Sequence, residues 1–351
     1  MEPKVTVYIC TYNRADLLCE AISSVLAQTY RDFKIVVLNN ASEDRTLEAI
    51  ATFNDPRLSC ITHEKNIGVL ANWNFALDHA TSEYFVILHD DDLMFPWMLE
   101  EEERFLETHK KVSFIGSMPL LSHGRIKIPD YNGEIEARIF KHKEYIKEVC
   151  FTGYNPLIVS SVLFRTKDIQ ESGVRFKCPL LPDVYFWFEC NLIEDFQICI
   201  AKQPLFQYRV HPLSETSRID PLNNGSVEGL LLTEKLLTEK GPEIDLSRIR
   251  EFFAIFCLTH AMRQYCAGLI GKEVLVELRE KVRTKYGWFL PEWRFEDKLA
   301  VTYLEDLVLS VKSGKKSIGD YLDAVAEAEK IDIRVPWKRA KIWFGDSFIA
   351  V

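Results

Sequence analysis

The sequence predicts an α/β fold, in which helices flank a mainly parallel sheet, followed by an α-helical C-terminal region. In the first half of the chain, short apolar segments alternate with segments of helical periodicity. This order is typical of a parallel sheet covered on both faces. After Pro212 the apolar strands stop and long helical patterns follow. We therefore predict two parts, a domain of residues 1–218 and a helical region of residues 219–351.

The first four strands are short apolar runs, at residues 5–10, 34–38, 58–62 and 84–88. The helices between them are predicted from apolar residues spaced three or four apart, at residues 16–27, 47–50 and 69–79. The order up to the fourth strand is therefore βαβαβαβ.

The later elements are less regular. Helices are predicted at residues 96–108 and 183–193, and strands at residues 112–118, 125–128, 160–165, 198–200 and 205–210. In the C-terminal region, helical patterns punctuated by Gly or Pro occupy residues 227–240, 246–270, 272–286, 295–312 and 318–330.

The composition argues against several classes of protein. The 351-residue chain has a formal net charge of −9, whereas broad nucleic-acid binding needs a basic face. Its nine cysteines include no CxxC pair and lie mostly in apolar runs, so we expect reduced thiols and a cytoplasmic protein. The charged Glu2 and Lys4 lead straight into the first strand, and no apolar run is long enough to span a bilayer. We therefore expect neither an N-terminal signal nor a transmembrane segment.

Three consecutive acids, Asp90, Asp91 and Asp92, follow the strand at residues 84–88. Carboxylates this close repel one another, so they require a cation or several hydrogen-bond donors nearby. Hard divalent metals take oxygen ligands and often keep part of their coordination shell for substrate phosphates. The alternatives are a solvated loop or a helix start, where acids interact favourably with the helix dipole. We favour the metal site.

Polar residues also follow the first two strands. Thr11, Tyr12 and Asn13 come after the first strand, and Asn39 and Asn40 come after the second. Ligands of open α/β sheets bind outside the carboxyl ends of the strands. Three such ends carrying polar side chains predict one binding site at that edge.

The polar strand ends belong to longer motifs. The chain has VTVYICTYNR at residues 5–14, FKIVVLNNASED at residues 33–44 and YFVILH before the acids. LPDVYFWF at residues 181–188 and YRVHPLS at residues 208–214 follow. In this order and spacing the motifs strongly resemble those of the family 2 glycosyltransferases.

That resemblance implies a GT-A fold and an inverting transfer of a sugar from a nucleotide diphosphate sugar, most simply a UDP-sugar, to an acceptor hydroxyl. It also implies a divalent metal, Mn²⁺ or Mg²⁺, bound by Asp91, with Asp92 as a second candidate ligand. Asp90 is expected near the ribose. The family's usual first acid falls at His89, so the acid triplet is a variant.

The resemblance assigns nucleotide binding to residues at the strand ends and in the neighbouring helices: Thr11, Tyr12, Asn13, Arg14, Asn39, Asn40, Asn66, Asn74 and Asp90. The family usually has an acid at one of the two adjacent asparagines, where it accepts a hydrogen bond from uracil. An amide oxygen can also accept that bond, but the amide nitrogen can donate, so another base is less firmly excluded. The alternative for this pair is an Asx turn.

By the same resemblance, Asp183 is the candidate general base. The family has two adjacent acids here, whereas this chain has Pro182 before a single carboxylate. The alternative is a helix cap, because Asp after Pro at a helix start caps well.

Three residues near the end of the resemblance complete the candidate site. His211 is a candidate metal ligand, and Arg209 and Ser214 are candidate phosphate contacts. Arg209 and His211 are two residues apart and share a face in an extended segment. The alternative is an ordinary solvated loop.

The expected partners are the nucleotide sugar donor and a saccharide or lipid-linked saccharide acceptor of a bacterial surface glycan. Residues 331–351 interleave basic and aromatic residues, which suits peripheral contact with the inner face of the cell membrane. The alternative, which we favour, is packing on the preceding helices. The C-terminal helices are also a candidate homo-oligomer contact.

Two other functions compete with glycosyl transfer. A nucleotidylyltransferase has a similar fold, but it normally opens with a Gly-rich basic loop, and residues 10–14 contain no glycine. A catalytically silent glycan-binding domain would be favoured by loss of Asp91 or Asp183, yet both are present.

Overall fold

The computed structural model describes residues 2–122, 128–152, 155–178, 181–209 and 224–241, together with residues 243, 244, 246, 273 and 277. The strands are β1 Val5–Thr11, β2 Phe33–Asn39, β3 Leu58–Thr62, β4 Tyr84–His89, β5 Leu93–Met94, β6 Val112–Ser122, β7 Ala137–Phe140, β8 Val162–Arg165 and β9 Gln197–Arg209. The α-helices are α1 Ala15–Leu26, α2 Thr46–Ala51, α3 Val69–His79, α4 Met98–Thr108, α5 Glu144–Thr152, α6 Thr166–Ser172, α7 Pro182–Asn191 and α8 Asn224–Lys240.

The strands form one mixed sheet in the order β3-β2-β1-β4-β8-β6-β9-β5, with β7 beside β9. Strands β1 to β4 are parallel to one another, as the βαβ alternation predicts. Strand β8 is antiparallel to both β4 and β6, whereas β6 and β9 are parallel. The predicted α/β class with a mainly parallel, helix-flanked sheet is confirmed.

The predicted elements of the first half agree with the structure to within a few residues. One later prediction is wrong, because the two strands expected at residues 198–200 and 205–210 are parts of the single strand β9. The polar residues between them stay extended, since the Lys202 amide donates to the Glu136 carbonyl at 2.7 Å. The strand predicted at residues 125–128 falls almost wholly outside the described residues, and Ile128 lies outside any strand.

One face of the sheet packs on α1 and α4. Val5, Val7 and Ile9 alternate along β1 and are fully buried against apolar residues of these helices, including Leu18 and Leu99. Burying each such side chain contributes about 1.5–3 kcal/mol. The apolar periodicity of both helices therefore fixes the side of the sheet on which they lie.

The intervening residues of the central strands form an aromatic layer. Phe85 of β4 stacks on Phe164 of β8 with ring centroids 4.9 Å apart. Trp187 of α7 packs against Phe164 at 5.9 Å and against Phe114 of β6 at 5.1 Å. Helix α7, which carries Asp183, is thereby packed against the sheet.

The chain divides into two compact units. The described part of the first comprises residues 2–122, 128–146, 155–178 and 181–209, and α8 belongs to the second. The boundary predicted after residue 218 lies outside the described residues, as do most of the predicted C-terminal helices and residues 331–351. Within the described part of the chain, no helix combines the length and apolar character needed to cross a bilayer.

A fully buried carboxyl group lies on α4. Neither oxygen of Glu102 has a hydrogen-bond partner among the described residues. Burial raises the pKa of Glu102 well above its usual value. The carboxyl group of Glu102 therefore stays protonated to a higher pH in the native state than in the unfolded chain. As pH rises above the pKa of Glu102 in the unfolded chain, the group progressively lowers the free energy of unfolding.

We expect Glu102→Gln to raise the free energy of unfolding at pH 8 by about 1–3 kcal/mol, because the amide removes the cost of protonating the carboxylate as the chain folds. The gain should shrink toward pH 5, as denaturant titrations at both pH values would measure. Glu103→Gln is the matched control, since Glu103 pairs with Lys4 at 2.5 Å and its loss should not stabilise the protein. A pH-independent effect of Glu102→Gln would contradict this interpretation.

Candidate active site

The carboxyl ends of three parallel strands meet at one edge of the sheet. Strand β1 lies between β2 and β4, and its register pairs Thr11 with Asn39 and Cys10 with His89. Asp90 follows His89 directly, and the Thr11 hydroxyl donates to the Asp90 carboxylate at 2.7 Å. The polar residues predicted to converge are therefore neighbours across the sheet.

The three acids are buried rather than solvated. Asp90, Asp91 and Asp92 are 2%, 7% and 0% exposed. Arg14 Nη1 lies 3.0 Å from an oxygen of Asp90 and 3.1 Å from an oxygen of Asp91. One guanidinium thus bridges two of the carboxylates, which the repulsion between them requires.

A second guanidinium reaches the acids from β9. Strand β5 pairs antiparallel with β9, with Leu93 opposite Gln207. Continuing this register by two residues brings Asp91 beside Arg209. The Arg209 amide donates to Asp92 at 3.2 Å. Its side chain donates to the Asp91 carbonyl and to the Glu20 carboxylate. Residues 90–92 are called the acid loop below. Arg209, predicted as a phosphate contact, is therefore hydrogen-bonded to the acid loop.

Burial and mutual repulsion shift the protonation of this loop. Burial, added to by the neighbouring Asp91 charge and opposed by Arg14, raises the pKa of Asp90 to about 6. Burial and the same Asp91 charge raise the pKa of Asp92 well above its usual value. A further cation at this position would favour the ionised forms of both.

His89, Asp91 and Asp92 offer three ligand atoms within 4.8 Å of one another, a group that could hold a metal ion. His89 Nδ1 lies 3.7 Å from Asp92 Oδ2. His89 Nε2 and Asp92 Oδ2 are both buried without a hydrogen-bond partner among the described residues. Unsatisfied buried acceptors beside carboxylates fit a divalent cation, so the residues present suit the metal that the sequence implies.

The amides assigned to the nucleoside also hold the surrounding loops. Asn39 Oδ1 accepts from the Ser42 amide, three residues on, at 3.0 Å. Asn40 Oδ1 accepts from the Ile67 amide at 2.8 Å, and its Nδ2 donates to Asn66 Oδ1 at 3.0 Å. Asn40 and Asn66 therefore lie together at the ends of β2 and β3.

The loop after β1 is fixed in the same way. Asn13 has a left-handed backbone, with φ 53°, a conformation that Asn tolerates better than most residues. Its side-chain oxygen accepts from the Glu43 amide at 2.7 Å. The neighbouring Tyr12 is exposed, and its ring is open to a ligand.

Asp183 lies in the first turn of α7, one residue after Pro182. It is half-buried, and Asn155 Nδ2 approaches its carboxylate at 3.5 Å. Burial raises the pKa of Asp183 to about 6, a value suited to a general base near neutral pH. The cap position itself is taken by Leu181, in a left-handed conformation, so Asp183 is not the N-cap considered as the alternative.

A column of rings connects α7 with the acid loop. Phe186 of α7 stacks on Phe176 at 4.2 Å, Phe176 packs on Trp73 of α3 at 5.1 Å, and Trp73 stacks on His89 at 4.9 Å. Asn74 forms two hydrogen bonds with the Phe176 backbone, at 2.8 and 3.0 Å. Its amide, predicted as a donor-site contact, thus holds this column.

Several contacts of the site had no signal in the sequence. Ser160 Oγ accepts from the His89 amide at 3.1 Å and donates to the Asp92 carboxylate, yet its run predicts only a strand. Trp73 has the spacing of an ordinary core residue. The predicted His211 and Ser214 lie outside the described residues, so their roles stay predictions.

Comparison with known proteins shows which family the chain resembles. The family model described as Glycosyl transferase family 2 matches residues 6–163. An uncharacterized glycosyltransferase of Rickettsia prowazekii is 33% identical over 266 residues, covering 71% of this chain and 80% of that protein. One of Haemophilus influenzae is 28% identical over 219 residues, which is 60% of this chain and 66%, slightly under two thirds, of that protein.

The fold matches a solved structure as well. S. aureus TarS 1-349 in complex with UDP-GlcNAc superposes with a TM-score of 0.54 at 16% identity, covering 88% of this chain and 81% of that one. This likeness concerns the fold, which is of the GT-A type. The chain belongs to glycosyl transferase family 2.

Proposed function

We propose that the protein is an inverting, metal-dependent glycosyltransferase that moves a sugar from a nucleotide diphosphate sugar to an acceptor hydroxyl. One observation carries the proposal: buried carboxylates, an unpartnered imidazole nitrogen and two guanidinium groups meet at the carboxyl ends of β1 and β4. A diphosphate needs cationic partners, and a metal needs oxygen ligands, at one place. No observation specifically favours nucleotidyl transfer or silent binding.

Asp91 and Asp92 would hold the divalent cation, Mn²⁺ or Mg²⁺, whose charge would stabilise the departing diphosphate. His211 is a further proposed ligand, and Arg209 and Ser214 are proposed phosphate contacts. Arg14 already spans Asp90 and Asp91, so its guanidinium is available to a phosphate once these acids have another cationic partner.

The donor is proposed to be a UDP-sugar. Thr11, Tyr12, Asn13 and Asn40 surround the end of β1 and β2 where the nucleoside would lie, with Asn39, Asn66 and Asn74 in support. Asn40 would accept a hydrogen bond from the base through its amide oxygen. Asp90, held by Thr11 at 2.7 Å, would accept from the ribose.

Asp183 is the proposed general base. Its carboxylate would take the proton of the acceptor hydroxyl as that oxygen bonds to the anomeric carbon and the bond from that carbon to the diphosphate oxygen breaks. A single displacement of this kind inverts the anomeric centre. The acceptor is proposed to be a saccharide or lipid-linked saccharide of a bacterial surface glycan, reached from the cytoplasm.

Asp183→Asn should lower turnover by at least about 100-fold, because the amide cannot accept the proton. Metal-dependent binding of UDP, measured by calorimetry, should stay within about twofold of wild type. Asp195→Asn, in the exposed turn after α7, is the matched control. Undiminished turnover of Asp183→Asn would remove Asp183 as the base.

The pH dependence of kcat at saturating donor should show the titration of this base. The pKa of Asp183 is about 6 because of burial, and only the ionised form accepts a proton. The rate should therefore rise with pH through about 6 and level off above it. A rate independent of pH between 5 and 8, with donor binding intact, would contradict this role.

Asp91→Ala should weaken metal-dependent UDP binding by at least about tenfold, because it removes a proposed metal ligand. Asp32→Ala is the control, since Asp32 is exposed and directly precedes β2, at the end of the strand opposite the site. Calorimetry with and without Mn²⁺ measures both variants. An unchanged metal dependence in Asp91→Ala would move the metal site elsewhere.

A further inference from the structure

The family's usual first acid is replaced by His89, and this imidazole lies among the acids rather than outside them. Its ring offers a nitrogen within 4.8 Å of ligand oxygens of both Asp91 and Asp92. Its side chain is 21% exposed, whereas that of Asp92 is fully buried. A buried polar atom normally has a hydrogen-bond partner. Asp92 Oδ2, which lies 3.7 Å from His89 Nδ1, and the second ring nitrogen, Nε2, have none among the described residues, so the ring and the carboxylate both have unused capacity to bind a ligand.

The surroundings hold the ring in one orientation. Trp73 stacks on His89 with an interplanar angle of 9°. The backbone amide of His89 is bonded to the Ser160 hydroxyl at 3.1 Å. Metal-binding histidines are oriented by such supporting contacts, which limit the motion of the ring. The same serine donates to the Asp92 carboxylate, so one residue holds the backbone of His89 and the side chain of Asp92.

We infer that His89 is a nitrogen ligand of the divalent cation and sets the metal preference of the site. The inference rests on the metal dependence of the proposed function, and it adds an imidazole at the position where the family usually has an acid. Imidazole favours the later first-row metals, whereas carboxylates suit Mg²⁺. The site should therefore prefer Co²⁺ over Mg²⁺ by a larger factor than a site with an acid at position 89 would.

Pulsed electron paramagnetic resonance of the full-length protein with Mn²⁺, alone and with UDP, tests for a directly bound nitrogen. Wild type should show an imidazole nitrogen coupling. In the His211→Ala background, which leaves no other proposed histidine ligand, His89→Asp and His89→Gln should both lose it. His89→Gln keeps the position neutral and carries the test if the additional buried acid prevents folding. His211→Ala is the matched control, because His211 is the other proposed histidine ligand, and it should keep the coupling.

Calorimetry with Co²⁺ and Mg²⁺ gives a second readout. The ratio of Co²⁺ to Mg²⁺ affinity should fall by at least about tenfold in His89→Asp. The loss of even an indirect supporting group lowers metal affinity by about that factor. An unchanged ratio, coupling that persists when His89 is replaced in the His211→Ala background, or coupling lost in His211→Ala alone would overturn the inference.

The outcomes separate this inference from the proposed function. Nitrogen coupling without any sugar transfer would support His89 as a ligand and overturn the function. Mn²⁺ bound without nitrogen coupling, in an enzyme that transfers sugar, would overturn only the inference. Failure of wild type to bind Mn²⁺ with or without UDP would overturn the inference together with the metal dependence.

Discussion

Repulsion among three adjacent buried carboxylates is the constraint on which the site depends. Two like charges 4 Å apart cost about 4 kcal/mol at the effective dielectric of a protein surface, and Asp90, Asp91 and Asp92 are nearly inaccessible to water. The fold meets this cost with fixed donors. Arg14 bridges two of the acids, and the backbone amide of Arg209 serves the third. The loop after β1 and the end of β9 are thus required by the acids at the end of β4.

The acids and the second arginine that contacts them come from distant parts of the sequence. Arg209 follows Asp91 by 118 residues, and only the pairing of β9 with the two-residue strand β5 brings them together. The segment between them supplies β6 and β7, which pair with β9, β8, which joins β4 to β6, and α7 with Asp183. A site of this kind forms only when the whole first unit has folded, so binding and stability are coupled through the same contacts.

The sequence allowed the parallel half of the fold and the converging strand ends to be predicted, because apolar periodicity and turn residues act locally. The continuity of β9 has no signal in the sequence, since Lys202 and Gln203 interrupt the apolar pattern while the strand runs through both and the Lys202 amide bonds to the Glu136 carbonyl. The link between Arg209 and the acids was equally hidden, because β5 is too short to show a period. The stacking of Trp73 on His89 depends on a tertiary contact between α3 and β4, for which one sequence carries no local signal.

The aromatic column gives the two chemical halves of the site a common mechanical support. Displacing α7, and Asp183 with it, would disturb Phe186 and then the Phe176 ring that packs on Trp73. Packed rings resist such displacement, because interiors are dense and a gap of even 0.5–1 Å forfeits roughly a quarter to a half of the attraction between contacting atoms. The hydrogen bonds of Asn74 to the Phe176 backbone hold the middle of the column. Asp183, the proposed base, and the acid loop lie on different elements, and in the described part of the chain this apolar packing connects them.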